Sequence, residues 1–309
     1  MPIIAPAETT DPQFYERLQA CGAHVMSEEV ASRQDIRPAR IGLLNLMPAA
    51  AMEGTELRWL RFMSHSMLQI EPVLVKFNDD CRENRGSRRA PILQRYTSFD
   101  EAAARGLDGL IVSGDNQERR ADGTPRPFDE LHYDRDLSEV IDWADTHVGS
   151  VILSCLASHY ALQRRHGIER TIRQQKMLGV FAHQITGQGS VTAGLDDCLR
   201  APHSRWGNVD AAELDAHDIS VLAYSDEAGW LLAEEPTSGG GTLTYIQGHP
   251  EYWRHDLHDE FARDQDQMPR GYYPNDDPTQ RPYLSWSNDA RAVFSNWIHG
   301  IYDEYSFAG

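Results

Sequence analysis

Three residues of this chain have the types and settings for covalent chemistry: a cysteine at 155, a histidine at 249 and a glutamate at 251. Cys155 stands in "SVILSCLASHYALQ", where an apolar run, Val151 to Leu153, meets a segment with helical spacing at Leu156, Tyr160 and Leu162. Free cysteine is among the most buried residue types, so packing alone accounts for it on one reading. On the other it is a nucleophile. A strand-to-helix turn presents a side chain at the carboxyl edge of a sheet, and the unpaired N–H groups of the next helix favour a thiolate. Such a thiol needs a base and a group that orients the base. "TYIQGHPEYW" offers both, again just after an apolar strand. In extended chain, residues i and i+2 project to one side. Glu251 is therefore placed to hold the imidazole tautomer of His249, as the acid does in a Ser-His-Asp triad. The plainer alternative is a surface loop in which Glu251 only forms a salt bridge. Of the other histidines, His255 and His258 read as helix surface, His159 and His166 as caps or solvent-facing groups, and His183 and His203 as loop residues that line a pocket. No metal site is expected from their spacing.

Positioning these groups requires a sheet. "IGLLNL" (Ile41–Leu46), "VLVKF" (Val73–Phe77), "GLIVS" (Gly109–Ser113) and "SVILS" (Ser150–Ser154) are continuous apolar runs, the pattern of strands covered on both faces. Between the first two, Leu57, Leu60, Met63 and Met67 form one helical stripe; between the last two, Leu137, Val140, Ile141 and Ala144 form another. Such alternation implies right-handed βαβ units and a parallel sheet. "SVLAY", "GWLLA" and "TLTYI" follow closely with turn residues between them, as in an antiparallel extension. The tail places Ala290, Val293, Phe294, Trp297, Ile298 and Ile301 on one helical face. The expected architecture is one open α/β domain with an irregular C-terminal region, whose ligands sit beyond the carboxyl ends of the strands. Residues 1–10, "RENRGSRRAP" and "ERRADGTPRP" are expected to lack regular structure.

Composition narrows the class. The 309 residues are 40% hydrophobic and 25% charged, the balance of a soluble globular protein. A net charge of -18 disfavours nucleic acid as a partner. No run approaches the ~18 apolar residues of a membrane span, and "MPIIAPAETTDPQ" has neither the basic nor the apolar region of a cleaved signal. Cys21, Cys81, Cys155 and Cys198 are scattered without CxxC spacing, which suits reduced thiols in a cytoplasm.

Several blocks in fixed order carry a family resemblance: "NLMP" (Asn45–Pro48), "DGLIVSG" (Asp108–Gly114), "SCLASHYAL", "LGVFAHQI" (Leu178–Ile185), "APHSRW" (Ala201–Trp206), "GHPEY" (Gly248–Tyr252), "EFARD" (Glu260–Asp264), "YYPNDDP" (Tyr272–Pro278) and "FSNWI" (Phe294–Ile298). From about Ile36 to Tyr305 the chain resembles homoserine O-acyltransferases of the homoserine transsuccinylase type. The resemblance implies a flavodoxin-like open, mostly parallel sheet with helices on both faces, similar to class I glutamine amidotransferases. It makes residues 1–35 an N-terminal arm and 36–309 a single domain. It implies a triad of Cys155, His249 and Glu251 and a ping-pong acyl transfer from acyl-CoA to homoserine, with acyl-CoA as substrate and no bound cofactor. The backbone N–H of Leu156 would serve the oxyanion. Ser204, Arg205 and Arg263 would hold the amino acid, a guanidinium fork suiting an α-carboxylate. A homodimer is compatible with the resemblance, with the C-terminal helix as a candidate contact or as core.

The departures are specific. The family usually has lysines directly after "NLMP"; here the chain continues "AAAME". Leu156 replaces a common tryptophan and His159 a glutamine. The loop after "VSG" is longer than usual and carries Glu118 at the position where the family's glutamate accompanies acetyl-CoA and its glycine succinyl-CoA. Glu118 therefore leans the donor toward acetyl, while Arg119 and Arg120 offer an alternative partner for a succinyl carboxylate. Serine as acceptor and a glutamine-amidotransferase-like amidase are the rival readings.

Lys76 and Lys176 are the only lysines. Many carboxylates with few lysines suit a saline cytoplasm, and a GC-rich genome produces the same arginine bias. Activity and melting temperature measured against KCl separate the two: a salt-adapted protein gains both with added KCl, and full activity and stability without salt excludes that adaptation.

Overall fold

A computed structural model describes residues 2–9, 11–35, 37–66, 68–80, 93–264 and 267–306, the side chains of 303–306 excepted. Twelve strands form one sheet. They are β1 (Ile3–Ala5), β2 (Val25–Ser27), β3 (Ala39–Leu44), β4 (Ile70–Lys76), β5 (Thr97–Ser98), β6 (Gly109–Val112), β7 (Ser150–Ser154), β8 (Thr171–Ile185), β9 (Cys198–Asn208), β10 (Ser220–Ser225), β11 (Gly229–Pro236) and β12 (Thr242–Ile246). Their order is β2-β1-β4-β3-β6-β7-β12-β11-β10-β8-β9, with β5 on β4. Pairing is parallel from β2 through to β12 and antiparallel from β12 to β9.

The continuous apolar strands are covered on both faces, as their composition requires. Ile41, Leu43, Ile111 and Ile152 point into one layer, with Trp59, Leu60 and Phe62 of α3 (Met52–Met63) and Phe294, Trp297 and Ile298 of the long C-terminal helix, Ser287–Ser306. Leu44, Leu110, Val112, Val151 and Leu153 point into the other, against Leu137, Val140 and Ile141 of a helix over Asp134–His147 and Leu156, Tyr160 and Leu162 of a helix over Leu156–His166. Neighbouring residues of one strand thus serve opposite cores. The C-terminal helix is core: all six of its striped apolar residues are buried, and Trp59 meets Phe294 edge-on at 5.2 Å.

Several expectations change. Residues 1–10 are not without structure: β1 pairs with β2 and β4, and Ile3 and Ile4 are buried. Part of the N-terminal arm thereby belongs to the main sheet. The 118–127 loop closes on itself, with Arg120 N–H donating to Thr124 O and Arg126 N–H to Glu118 O. α3 ends at Met63, and Leu57 is only partly buried. Met67 and "RENRGSRRAP" lie outside the described residues. His183 and His203 sit in β8 and β9, where the long hairpin buries both and stacks their rings 5.1 Å apart. Among the described residues no helix is long and apolar enough to cross a membrane.

Trp297→Ala should empty the space the indole fills beneath β6, where it lies against Gly109. The expected cost is about 3–5 kcal/mol, read as a lower urea midpoint at unchanged slope.

Candidate active site

β6, β7 and β12 run parallel and in register, so their carboxyl ends lie side by side: Val112 faces Leu153, and Ser154 faces Ile246. The residues just beyond those ends are Gly114, Cys155 and His249. Cys155 has φ 49° and ψ -109°, a backbone conformation that costs a non-glycine residue energy. Its N–H is tied to Ile246 O at 2.7 Å, which holds the turn at β12, and Leu156 opens the following helix at its first position. Two neighbouring glycines pack closely. A Cβ on Gly114 would stand 3.1 Å from Cys155 Cβ, and one on Gly248 only 2.7 Å from Leu231 Cδ1.

His249 Nδ1 lies 2.8 Å from Glu251 Oε1, which leaves Nε2 for the thiol. The two residues do not meet through extended chain. Tyr252 N–H donates to His249 O at 3.1 Å, closing a turn through Pro250 and Glu251. That turn also stacks the Tyr252 ring on the imidazole at 4.4 Å and 20°. Cys155, His249 and Glu251 are respectively 2%, 8% and 5% exposed, yet all three line a cavity of about 470 Å³. Burial resists charge on His249, but the Glu251 carboxylate, then Cys155, outweigh it and hold the imidazole well above its ordinary pKa. The arrangement favours a protonated imidazole beside the Cys155 sulfur.

A second set of polar groups lines the same cavity: Lys176, Ser204, Glu260, Arg263 and Asp264. Lys176 gets there through a bulge. β8 advances from Ile172 to Met177 while β9 moves only from Gly207 to Arg205, so Arg173 to Lys176 are looped out. Its Nζ lies 3.3 Å from Glu260 and 3.1 Å from Asp264. Glu260 also accepts from the Ser204 hydroxyl and, at 2.6 Å, from Tyr252. Burial opposes its ionisation, but Lys176 and these donors hold it below the usual carboxylate range. Arg263 grips Asp264 with two hydrogen bonds, which hold that carboxyl down at about 2. From α3, Arg58 pairs with Asp256 and lies 5.2 Å over Tyr252. Neither Lys176 nor Glu260 was singled out from sequence. The signal lay in one of only two lysines and in the i, i+3, i+4 spacing of Glu260, Arg263 and Asp264.

The expected site residues separate as follows. Cys155, His249, Glu251, Ser204, Arg263 and Glu118 all reach the cavity, and Leu156 adjoins it at the helix start. Arg205 does not. Strand alternation turns it away from Ser204 and Trp206, and its guanidinium is buried, donating to the carbonyls of Gly207 and Ala228, to Asn208 and to His203. Burial lowers it to about 10, with Cys155 and Glu118 pulling the other way. It is a structural cation behind the site and is not placed to hold an amino acid. Glu118 takes the N–H groups of Trp206 and Gly207 at 2.8 and 2.6 Å. Arg120 pairs with Glu130 outside the cavity. His159 is wholly buried, neither cap nor solvent-facing; its Nε2 bonds Gln247 Oε1 at 3.0 Å and burial pushes it to about 3. His258 bonds Tyr273 OH at 2.7 Å.

A mostly parallel sheet whose carboxyl edge carries a strained cysteine beside a histidine and a glutamate defines an amidotransferase-like fold class. Solved structures agree in fold: a putative GMP synthase protein from Thermoplasma acidophilum (TM-score 0.52, 14% identity, 88% of this chain and 98% of that one) and a glutamine amido transferase from Methylobacillus flagellatus (TM-score 0.50, 13% identity, 86% and 96%). Residues 2–307 match the sequence model of the family described as HTS, homoserine O-succinyltransferase. The chain is 35% identical to the homoserine O-succinyltransferase of Pseudoalteromonas atlantica, over 97% of this chain and 94% of that protein. It is 34% identical to the homoserine O-acetyltransferase of Lachnoclostridium phytofermentans, over 89% of each. The chain belongs to the homoserine O-succinyltransferase family and is an acyltransferase.

Glu251→Gln removes the leading cause that raises His249. The imidazole pKa, followed by NMR, should fall toward or below its ordinary value, and Cys155 alkylation should lose its imidazolium-assisted range at the alkaline side. An unmoved imidazole would take Glu251 out of the triad.

Proposed function

We propose that this protein moves an acyl group from acyl-CoA to the hydroxyl of L-homoserine through a thioester on Cys155, a step of methionine biosynthesis. One observation carries the reading: a Cys-His-Glu constellation and a separate cluster matched to an amino acid open into a single cavity. The Cys155 thiolate adds to the thioester carbonyl, the bond to the CoA sulfur breaks, and that sulfur takes the proton from His249. Homoserine then enters; its hydroxyl gives a proton to His249 and its oxygen attacks the thioacyl carbon, which releases the Cys155 thiolate. The Leu156 amide, at the start of its helix, is positioned for the oxyanion of each tetrahedral intermediate. Lys176 and Arg263 suit the α-carboxylate, and Glu260 with Ser204 the ammonium.

The donor we favour is acetyl-CoA. Glu118 presents a carboxylate to the cavity and is anchored there by two backbone N–H groups, so a succinyl carboxylate would meet like charge. The lysines absent after Pro48 leave Arg58, Lys176 and Arg263 as lining cations.

Purified enzyme incubated with acetyl- or succinyl-CoA should gain the acyl mass on Cys155, and homoserine should discharge it. Cys155→Ala should abolish turnover, and Arg263→Ala should mainly raise the amino-acid KM, about tenfold for one lost carboxylate contact. Discharge by serine alone would reassign the acceptor. Absence of the adduct with both donors would overturn the transferase reading in favour of an amidase.

A further inference from the structure

Beyond Glu118, the arginine-rich loop after β6 has no part in the chemistry above. It runs from Glu118 to Arg126 and is closed by the two backbone hydrogen bonds already described and a bridge between Arg119 and Pro125. Arg170, just before β8, fastens it: Nη2 donates to Arg126 O at 2.8 Å and the guanidinium lies 4.1 Å over Phe128. Arg173 follows in the β8 bulge.

Four arginines without a carboxylate partner fall here on two segments joined by the Arg170–Arg126 contact, although Arg61 and Arg205 elsewhere also lack one among the described residues. The chain has 47 acidic residues against 29 lysines and arginines, and elsewhere arginines such as Arg17, Arg40, Arg58, Arg105, Arg164 and Arg165 have carboxylate partners. Arg119, Arg126, Arg170 and Arg173 have none within 4 Å among the described residues. Arg126 Nε and Arg170 Nη1 are buried without any hydrogen-bond partner. Cations left unmatched amid a surplus of carboxylates carry a standing electrostatic cost that an anion would relieve. The cluster also adjoins the cavity. Arg119 lies 4.1 Å over Trp206, and both Trp206 and Glu118, whose backbone closes the loop, line the cavity that holds Cys155.

We propose that the arginines of the 118–126 loop and of residues 170–173 bind the phosphate groups of the acyl donor, with Trp206 marking the passage toward Cys155. The proposal rests on the acyl-CoA reading. It assigns the loop to the non-reacting end of the donor, where uniform binding energy appears in KM.

The test compares acetyl-CoA with S-acetylpantetheine, which has the thioester arm and no phosphate. Arg119→Gln/Arg173→Gln should raise the acetyl-CoA KM about tenfold or more and flatten its dependence on salt. The penalty with S-acetylpantetheine should be at least about fivefold smaller, and the homoserine KM should stay near wild type. Arg119→Lys/Arg173→Lys should recover most of the acetyl-CoA affinity, and matching melting temperatures exclude misfolding. An unchanged acetyl-CoA KM, or equal penalties with both donors, overturns the phosphate site while leaving the transferase reading intact. No acyl adduct on Cys155 from either donor removes both.

Discussion

The hydrogen bond between Glu251 and His249 is the interaction on which the site depends. Both groups are buried, and burial by itself would strip the imidazole of its proton and leave the thiol with an uncharged neighbour. The carboxylate at 2.8 Å reverses that preference. It also fixes which ring nitrogen faces the sulfur, so one contact sets the charge and the direction of the base. Tyr252, stacked on the ring, resists the remaining freedom of the imidazole to tilt.

The backbone shares the task. Cys155 occupies a positive-φ conformation that only a surrounding structure can enforce, and the Ile246 carbonyl supplies the restraint from the end of the strand that leads to His249. Cys155 and His249 are thus coupled through one backbone hydrogen bond and one pair of strands. The glycines at 114 and 248 allow the neighbouring chain to approach closely enough for this coupling. The second set of polar groups is linked likewise: Glu260 accepts from the hydroxyl of Tyr252, whose ring stacks on His249, and pairs with Lys176.

Much of the fold was legible because the apolar runs that form β3, β4, β6 and β7 can be stable only when both faces are covered, whereas β12, expected in an antiparallel extension, pairs in parallel with β7. The striped C-terminal residues could likewise pack on one side only. The β8–β9 hairpin was less legible. Its buried histidines and arginine look like pocket or loop chemistry in sequence, and only the pairing shows that Arg205, His203 and His183 are hydrogen-bonded in series in the interior. Arg205 is the instructive case. Its neighbours Ser204 and Trp206 both reach the cavity, and a period of two residues sends it the other way.

By itself the sequence determined the class of sheet and the family, and it singled out Cys155, His249 and Glu251, because these follow from residue type, local pattern and block order. The tertiary structure decided the rest. It showed that a turn, and not extended chain, joins His249 to Glu251; that a bulge delivers Lys176; and that Arg119 lies over Trp206 of the cavity wall with no carboxylate partner among the described residues. The physical reason is that charge pairing, burial and side-chain direction depend on residues brought together from distant parts of the chain, and local pattern carries no record of those distances.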